Sequence, residues 1–360
     1  MESQVEPSPD PPQRRQQPVR LAAGVLVAGL GVVLLGGGLL AIMNPSSTPP
    51  SASVASVASA SPTAPWGSPS PAAEGSGPMT ATPNATPPAP SPTPSGDPVL
   101  VGAGDIARCD SDADEATASL VDGIPGIVFT LGDTAYESGS EGELRDCYGP
   151  SWGRFRDRTG FVATGNHDIR TDGGAPLRAD FGDAAPRHGV TWFSEDGGAW
   201  HVIVLDSNCT ALEGGCGVDS AQLQWLRDDL AASTARCTLA LWHHPRFSSG
   251  THGNDTAVAP FWDALHAAGA DLVLNGHDHD YERFAPLDPQ GRLDRERGIT
   301  EVVVGTGSSL REFGTPVANA VVRSSVAPGV LVLTLQPSGW QFRFVSTDGS
   351  FSDQGSGACH

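Results

Sequence analysis

The stretch DLVLNGHDHDYER, Asp271 to Arg283, opens with a short apolar run and turns polar at Gly276-His277-Asp278-His279. An apolar run of that length, closed by a glycine, reads as a buried strand that delivers two imidazoles at its carboxyl end. The same pattern recurs along the chain. Val99 to Ala103 leads into Gly104-Asp105, Gly126 to Leu131 into Gly132-Asp133-Thr134-Ala135-Tyr136, Phe161 to Thr164 into Gly165-Asn166-His167-Asp168, and Thr238 to Trp242 into His243-His244-Pro245. Ligands of open α/β sheets bind beyond the carboxyl ends of strands, so these side chains can converge on one crevice. A glycine ahead of the ligand lets the chain turn sharply there.

Asp and Asn oxygens with His nitrogens form the mixed donor set that suits Fe, Zn or Mn. Six or seven donors are too many for one ion. Two ions about 3.5 to 4 Å apart, bridged by one carboxylate, accommodate them and suit in-line displacement at phosphorus. Tyr136 adds a constraint, because a phenol of ordinary pKa about 10 ligates only when a strongly Lewis-acidic ion takes its proton. Ferric iron is the obvious candidate.

Further apolar runs at His201 to Asp206, Glu301 to Gly305 and Val330 to Leu335 read as strands, and helical periodicity is clearest over Asp219 to Ala231 and Ala257 to Ala268. Strands alternate with helices early and run together late. That order predicts an α/β sandwich whose C-terminal sheet is largely antiparallel.

Asp105, the Gly-Asp-x-x-Tyr at Asp133 and Tyr136, the Gly-Asn-His-Asp at Asn166 and His167, the His-x-Pro at His243 and the Gly-His-x-His-x-Tyr-Glu-Arg at His277 to Arg283 resemble calcineurin-type metallophosphoesterases. Within that superfamily they resemble the purple acid phosphatase branch, and the Lys-free composition is similar to that of a secreted bacterial phosphoesterase. The resemblance implies two mixed β-sheets flanked by helices. It implies that Asp105, Tyr136 and His279 hold a first ion, Fe(III), that Asn166, His243 and His277 hold a second, Fe(II), Zn or Mn, and that Asp133 bridges them. His167 matches the family's histidine beside the phosphate or leaving group, and His252 matches an outer histidine that can protonate the leaving group. The implied reaction is hydrolysis of phosphate monoesters by a metal-activated hydroxide. A phosphodiesterase or nucleotidase using the same metals, and a wall-tethered binding protein on a decayed scaffold, are the rival readings.

Departures from the pattern are Ala107, where the superfamily often has His, Tyr136-Glu137, where it often has Asp-Arg, and Asp168, where Glu is commoner. The first two point to the purple branch; the third is expected to alter only how His167 is oriented. His244 reads either as a neighbour of the ligands or as packing. His188, His201, His266 and His360 have no partner motif.

The rest of the chain sets the location of this chemistry. Residues 1–20 are polar and place Arg14, Arg15 and Arg20 before an uncharged apolar run at 21–43. That run would reach about 34 Å as a helix, enough to span a bilayer. The arginines predict a cytoplasmic N-terminus and an exported catalytic part on a retained anchor, with cleavage near Ala58 to Ala60 as the alternative. Residues 44–98 include 15 Pro among 55 residues and read as a disordered tether. Residues 99–360 form the catalytic domain and hold all six Cys, an even count that predicts disulfides outside the cytosol, with Cys209 and Cys216 as the local pair. The net charge of −20 makes a nucleic-acid partner unexpected. With 36 acids against 18 Arg in residues 99–360, the ion pair is what would draw a small phosphate ester to the cleft.

Overall fold

The computed structural model describes residues 96–182 and 191–360. The N-terminal tail, the apolar run at 21–43, the linker up to residue 95 and His188 lie outside the described residues. Among the described residues, no helix is long and apolar enough to cross a membrane.

Two large sheets carry the domain. The first has six strands in the order β15 (Ser352–Ala358), β14 (Gly339–Ser346), β13 (Gly329–Gln336), β1 (Val99–Ala103), β3 (Ile127–Leu131) and β5 (Thr159–Ala163). The second has seven, in the order β12 (Ala320–Ser324), β10 (Tyr281–Phe284), β11 (Thr300–Val304), β9 (Leu272–Asn275), β8 (Cys237–Leu241), β7 (Trp200–Val204) and β6 (Phe193–Gly197). A short pair, β2 (Ala107–Arg108) and β4 (Ala135–Tyr136), lies just past the ends of β1 and β3. Each sheet has a parallel centre, β1-β3-β5 in one and β11-β9-β8-β7 in the other, with antiparallel strands outside it.

Why these runs are apolar throughout follows from what covers them. Val202 and Val204 of β7, Leu239 and Leu241 of β8, and Leu272 and Leu274 of β9 belong to the cluster shared with β1, β3 and β5 of the first sheet. Their strand neighbours Ile203, Ala240 and Val273 point the other way, into a second cluster with Leu223 and Leu226 of the helix Ala221–Ala232 and Phe261, Trp262 and Leu265 of the helix Ala259–Ala268. A strand buried on both faces cannot alternate with polar residues. Each such Val, Leu or Ile contributes about 1.5–3 kcal/mol by leaving water.

The C-terminal strands do pair antiparallel, as expected of a largely antiparallel C-terminal sheet, but they do not form a sheet of their own. Strands β13, β14 and β15 instead extend the first sheet antiparallel from β1, pairing Val101 with Val332. β13 closes the side of β1 that β3 leaves open. β15 (SDQGSGA) escaped the sequence reading because an exposed edge strand needs no apolar alternation.

All six cysteines are paired: Cys209 with Cys216 as expected, Cys109 with Cys147, and Cys237 with Cys359. The last joins the start of β8 in the second sheet to the chain following β15 in the first, across a sequence separation of 122. Replacing both of these cysteines by serine should lower unfolding stability by about 2–5 kcal/mol, read as an earlier denaturant midpoint relative to the oxidised parent. An unchanged midpoint would show that the two sheets need no such tie.

Candidate metal centre

The parallel strands β1, β3, β5, β8 and β9 all end at one rim, where the two sheets meet through Gly104 N–H to Val304 O at 2.8 Å. Three of the residues just past those ends hold left-handed backbones: Asp105 (φ 60°), Asp133 (φ 50°) and His277 (φ 70°). The sharp turn expected of the preceding glycine falls on the functional residue itself at Asp105 and His277 and is shared with Gly132 (φ 84°) at Asp133. Such conformations cost about 1–3 kcal/mol each and persist where their surroundings over-determine them. Here Asp105 N–H bonds Gly132 O and Ile106 N–H bonds Asp133 O, each at 3.0 Å, while His277 N–H donates to Asp105 Oδ2 at 2.8 Å. Gly165 serves close approach instead. A Cβ on it would lie 2.2 Å from Asp133 N and Oδ1.

The seven side chains singled out above meet in two adjoining clusters. In one, Tyr136 Oη donates to Asp105 Oδ1 at 2.7 Å and lies 3.1 Å from His279 Nε2, which is itself 3.4 Å from Asp105 Oδ1. In the other, His243 Nε2 lies 3.1 Å from Asn166 Oδ1, 3.3 Å from His277 Nδ1 and 3.3 Å from Asp133 Oδ2. Asp105, Asp133 and His243 place ligand atoms within 4.8 Å of one another, which joins the two clusters through Asp133.

The donor set fits cations. His243 Nδ1–H donates to Leu131 O at 2.7 Å and His279 Nδ1–H to Ser309 O at 3.0 Å, so each ring turns its Nε2 inward, the arrangement that orients metal-binding imidazoles. Tyr136 then has one proton for two facing acceptors. Asp105, Asp133 and His243 are almost wholly buried, and buried charge needs a counter-charge. Burial pushes the Asp105 carboxyl up to about 7, with Asp133 adding to the rise. For Asp133 burial works the same way, but His243 and His167 beside it prevail and bring it below the carboxylate range. Burial opposes charge on His243 too, yet Asp133 and Asp105 raise it to about 10. Burial and then the Asp105 and Asp133 charges hold the Tyr136 phenol well above its ordinary value, so only a strong Lewis acid would deprotonate it.

His167 and His252 flank these clusters. The His167 ring lies 4.5 Å from that of Tyr136 between centroids, with Nε2 3.9 Å from Asp133 Oδ2. His252 is exposed, its ring 4.3 Å from that of His277. Asp168 does not orient His167. Its buried carboxylate accepts Thr134 N–H at 2.9 Å and Gly165 N–H at 2.8 Å, stitching the turn after β3 to the turn after β5. His244 sits beside the ligands, ring 4.3 Å from that of His277, with Nδ1 2.8 Å from Ser207 Oγ. His201 lies between Asp196 and Asp229, and His266 beside Asp294, away from the rim.

Sequence reading missed the scaffold under the His252 loop. Glu301 accepts the N–H groups of Arg246 and Phe247 at 2.8 and 3.0 Å, Glu282 that of Ser249 at 2.6 Å, and Asp278 that of His252 at 2.8 Å. The one available signal was acidic residues recurring at 278 and 282 beside an apolar strand.

The family model for calcineurin-like phosphoesterases matches residues 100–281, which include every side chain of both clusters and both flanking histidines. Purple acid phosphatase 15 of Arabidopsis thaliana is 25% identical over 237 residues, covering 54% of this chain and 42% of that protein. Acid phosphatase A of Cryphonectria parasitica is 27% identical over 142 residues, covering 33% of this chain and 28% of that one. The chain thus spans less than half the length of these curated relatives. A purple acid phosphatase from yellow lupin (Lupinus luteus) seeds superposes with a TM-score of 0.59 at 20% identity over 75% of this chain and 55% of its own, a likeness of fold. The match across half the chain, over the segment that builds both clusters, means that this protein belongs to the calcineurin-like phosphoesterase family.

Proposed function

We propose that the protein is a two-metal phosphoesterase acting on phosphate monoesters. The observation that carries this reading is the pair of donor clusters joined at Asp133. Asp105, Tyr136 and His279 would hold one ion, Fe(III), and Asn166, His243 and His277 the other, Fe(II), Zn or Mn, with Asp133 shared between them. Bound there, the ions would supply a water acidified towards neutral pH and neutralise charge gathering on the phosphoryl oxygens.

The chain's own groups do the rest. The carbonyls of Leu131 and Ser309 fix the tautomers of His243 and His279. Asp168 holds the Asp133 and Asn166 turns in register. His167 has both ring nitrogens engaged, whereas His252 has no partner on Nδ1 among the described residues, so His252 is the side chain assigned to the leaving-group oxygen. Three disulfides support an exported catalytic domain, and the apolar run at 21–43 is its proposed membrane anchor.

Metal analysis with a visible spectrum tests the assignment. The native protein should carry two equivalents of metal with a ferric-phenolate band, Tyr136→Phe should bleach that band, and chelation should abolish hydrolysis of a phenyl phosphate. A protein that takes up no Fe, Zn or Mn on reconstitution would be a scaffold only. With every donor atom kept, Gly165→Ala should displace Asp133 and cut metal stoichiometry to one equivalent or less, with the circular dichroism spectrum unchanged. Retention of two equivalents would remove Asp133 as the shared ligand.

A further inference from the structure

Two arginines that no motif singles out stand beside the flanking histidines. Arg170, just past β5, donates through Nη2 to His167 Nε2 at 3.1 Å and through Nη1 to Glu137 O at 3.0 Å. Arg311, on the loop after β11, donates through Nη1 to His252 Nε2 at 2.9 Å, while its backbone N–H bonds His279 O at 2.9 Å. One arginine thus comes from each sheet.

The partners fix which way these bonds run. A guanidinium only donates and a carbonyl only accepts. His167 Nδ1, 2.7 Å from Glu137 O, must therefore carry the ring proton, and Nε2 accepts from Arg170. His252 Nε2 accepts from Arg311 in the same way. Each imidazole works as a bracket for a cationic side chain. Both arginines are exposed, and among the described residues neither lies within ion-pair distance of a carboxylate, whereas Arg108, Arg154, Arg156 and Arg283 spend their charge on neighbouring acids. A guanidinium has five donors, so most of the donors on each remain available to an anion.

We propose that Arg170 and Arg311 hold the substrate's phosphoryl group, donating to its non-bridging oxygens from the two sides of the centre, and that His167 and His252 position them. This rests on the phosphoesterase reading and gives its substrate class a residue basis. A terminal phosphate offers three such oxygens and a charge near −2, and guanidinium matches that geometry bidentately. A diester offers two oxygens and one charge, so it gains less from the pair.

The test uses the full-length, metal-loaded protein and its Arg170→Ala, Arg311→Ala, double Ala and Arg→Lys variants. Metal content, inorganic phosphate binding by equilibrium dialysis, and kcat and KM on p-nitrophenyl phosphate and bis-p-nitrophenyl phosphate are measured. Each alanine should weaken phosphate binding and raise the monoester KM about 10-fold or more, with a smaller effect on the diester, partial rescue by Lys and unchanged metal content. Phosphate binding within twofold of the parent in both alanine variants, equal losses on the two esters, or metal lost with the arginine would each overturn the proposal. Should the loaded parent cleave neither ester, the phosphoesterase reading fails by itself, and phosphate dialysis still decides the arginine assignment.

Discussion

Two carboxylates, Asp105 and Asp133, face each other inside the protein at the seam between its sheets. Placing two negative charges in so dry a place is unfavourable unless positive charge is supplied nearby. Much of the surrounding architecture is intelligible as a response to that constraint. His243 is driven towards its charged form and Asp105 towards its protonated one, while His279 Nε2 faces Tyr136 Oη and His277 Nδ1 faces His243 Nε2. The backbone reaches the same point by accepting left-handed conformations at Asp105, Asp133 and His277. Neither expense is explained by the stability of an empty domain.

The side chains of the clusters were legible in the sequence because coordination chemistry restricts them to a few residue types and topology restricts them to strand ends. Asp105, Asp133, Asn166, His243 and His277 each follow an apolar run directly, so one-dimensional pattern and three-dimensional convergence carry the same information. What stayed hidden has partners remote in sequence and a chemistry shared with ordinary surface residues. Arg311 meets His252 across 59 positions, and nothing local marks it. Asp168 resembled an adjunct of its neighbour His167, yet its bonds go to two backbone amides on different turns. The edge strands β12 and β15 lack the double-sided burial that made the central strands readable.

The loop bearing His252 shows a different economy. Three buried acids, Asp278, Glu282 and Glu301, accept backbone N–H groups from it instead of pairing with cations. Burial pushes Glu301 well above its ordinary range, which two amide donors only partly offset. Much of the hold on this loop is therefore through its main chain. Side chains of the loop add to that hold: Ser248 Oγ donates to Asp278, Ser249 Oγ accepts Val317 N–H at 2.8 Å, and a Cβ on Gly250 would meet Asp278.

Each cluster draws side chains from both sheets: Asp105, with Tyr136 on the short β4 past β3, from one side and His279 from the other, and Asn166 from one with His243 and His277 from the other. Occupancy and inter-sheet packing are consequently linked quantities, since a ligand that binds only the aligned arrangement stabilises that alignment. Trimming an apolar contact such as Val204 between the layers would disturb the spacing of both clusters without touching a donor atom. The interior of the sandwich is, in this sense, a remote tuning element for the affinity at its rim.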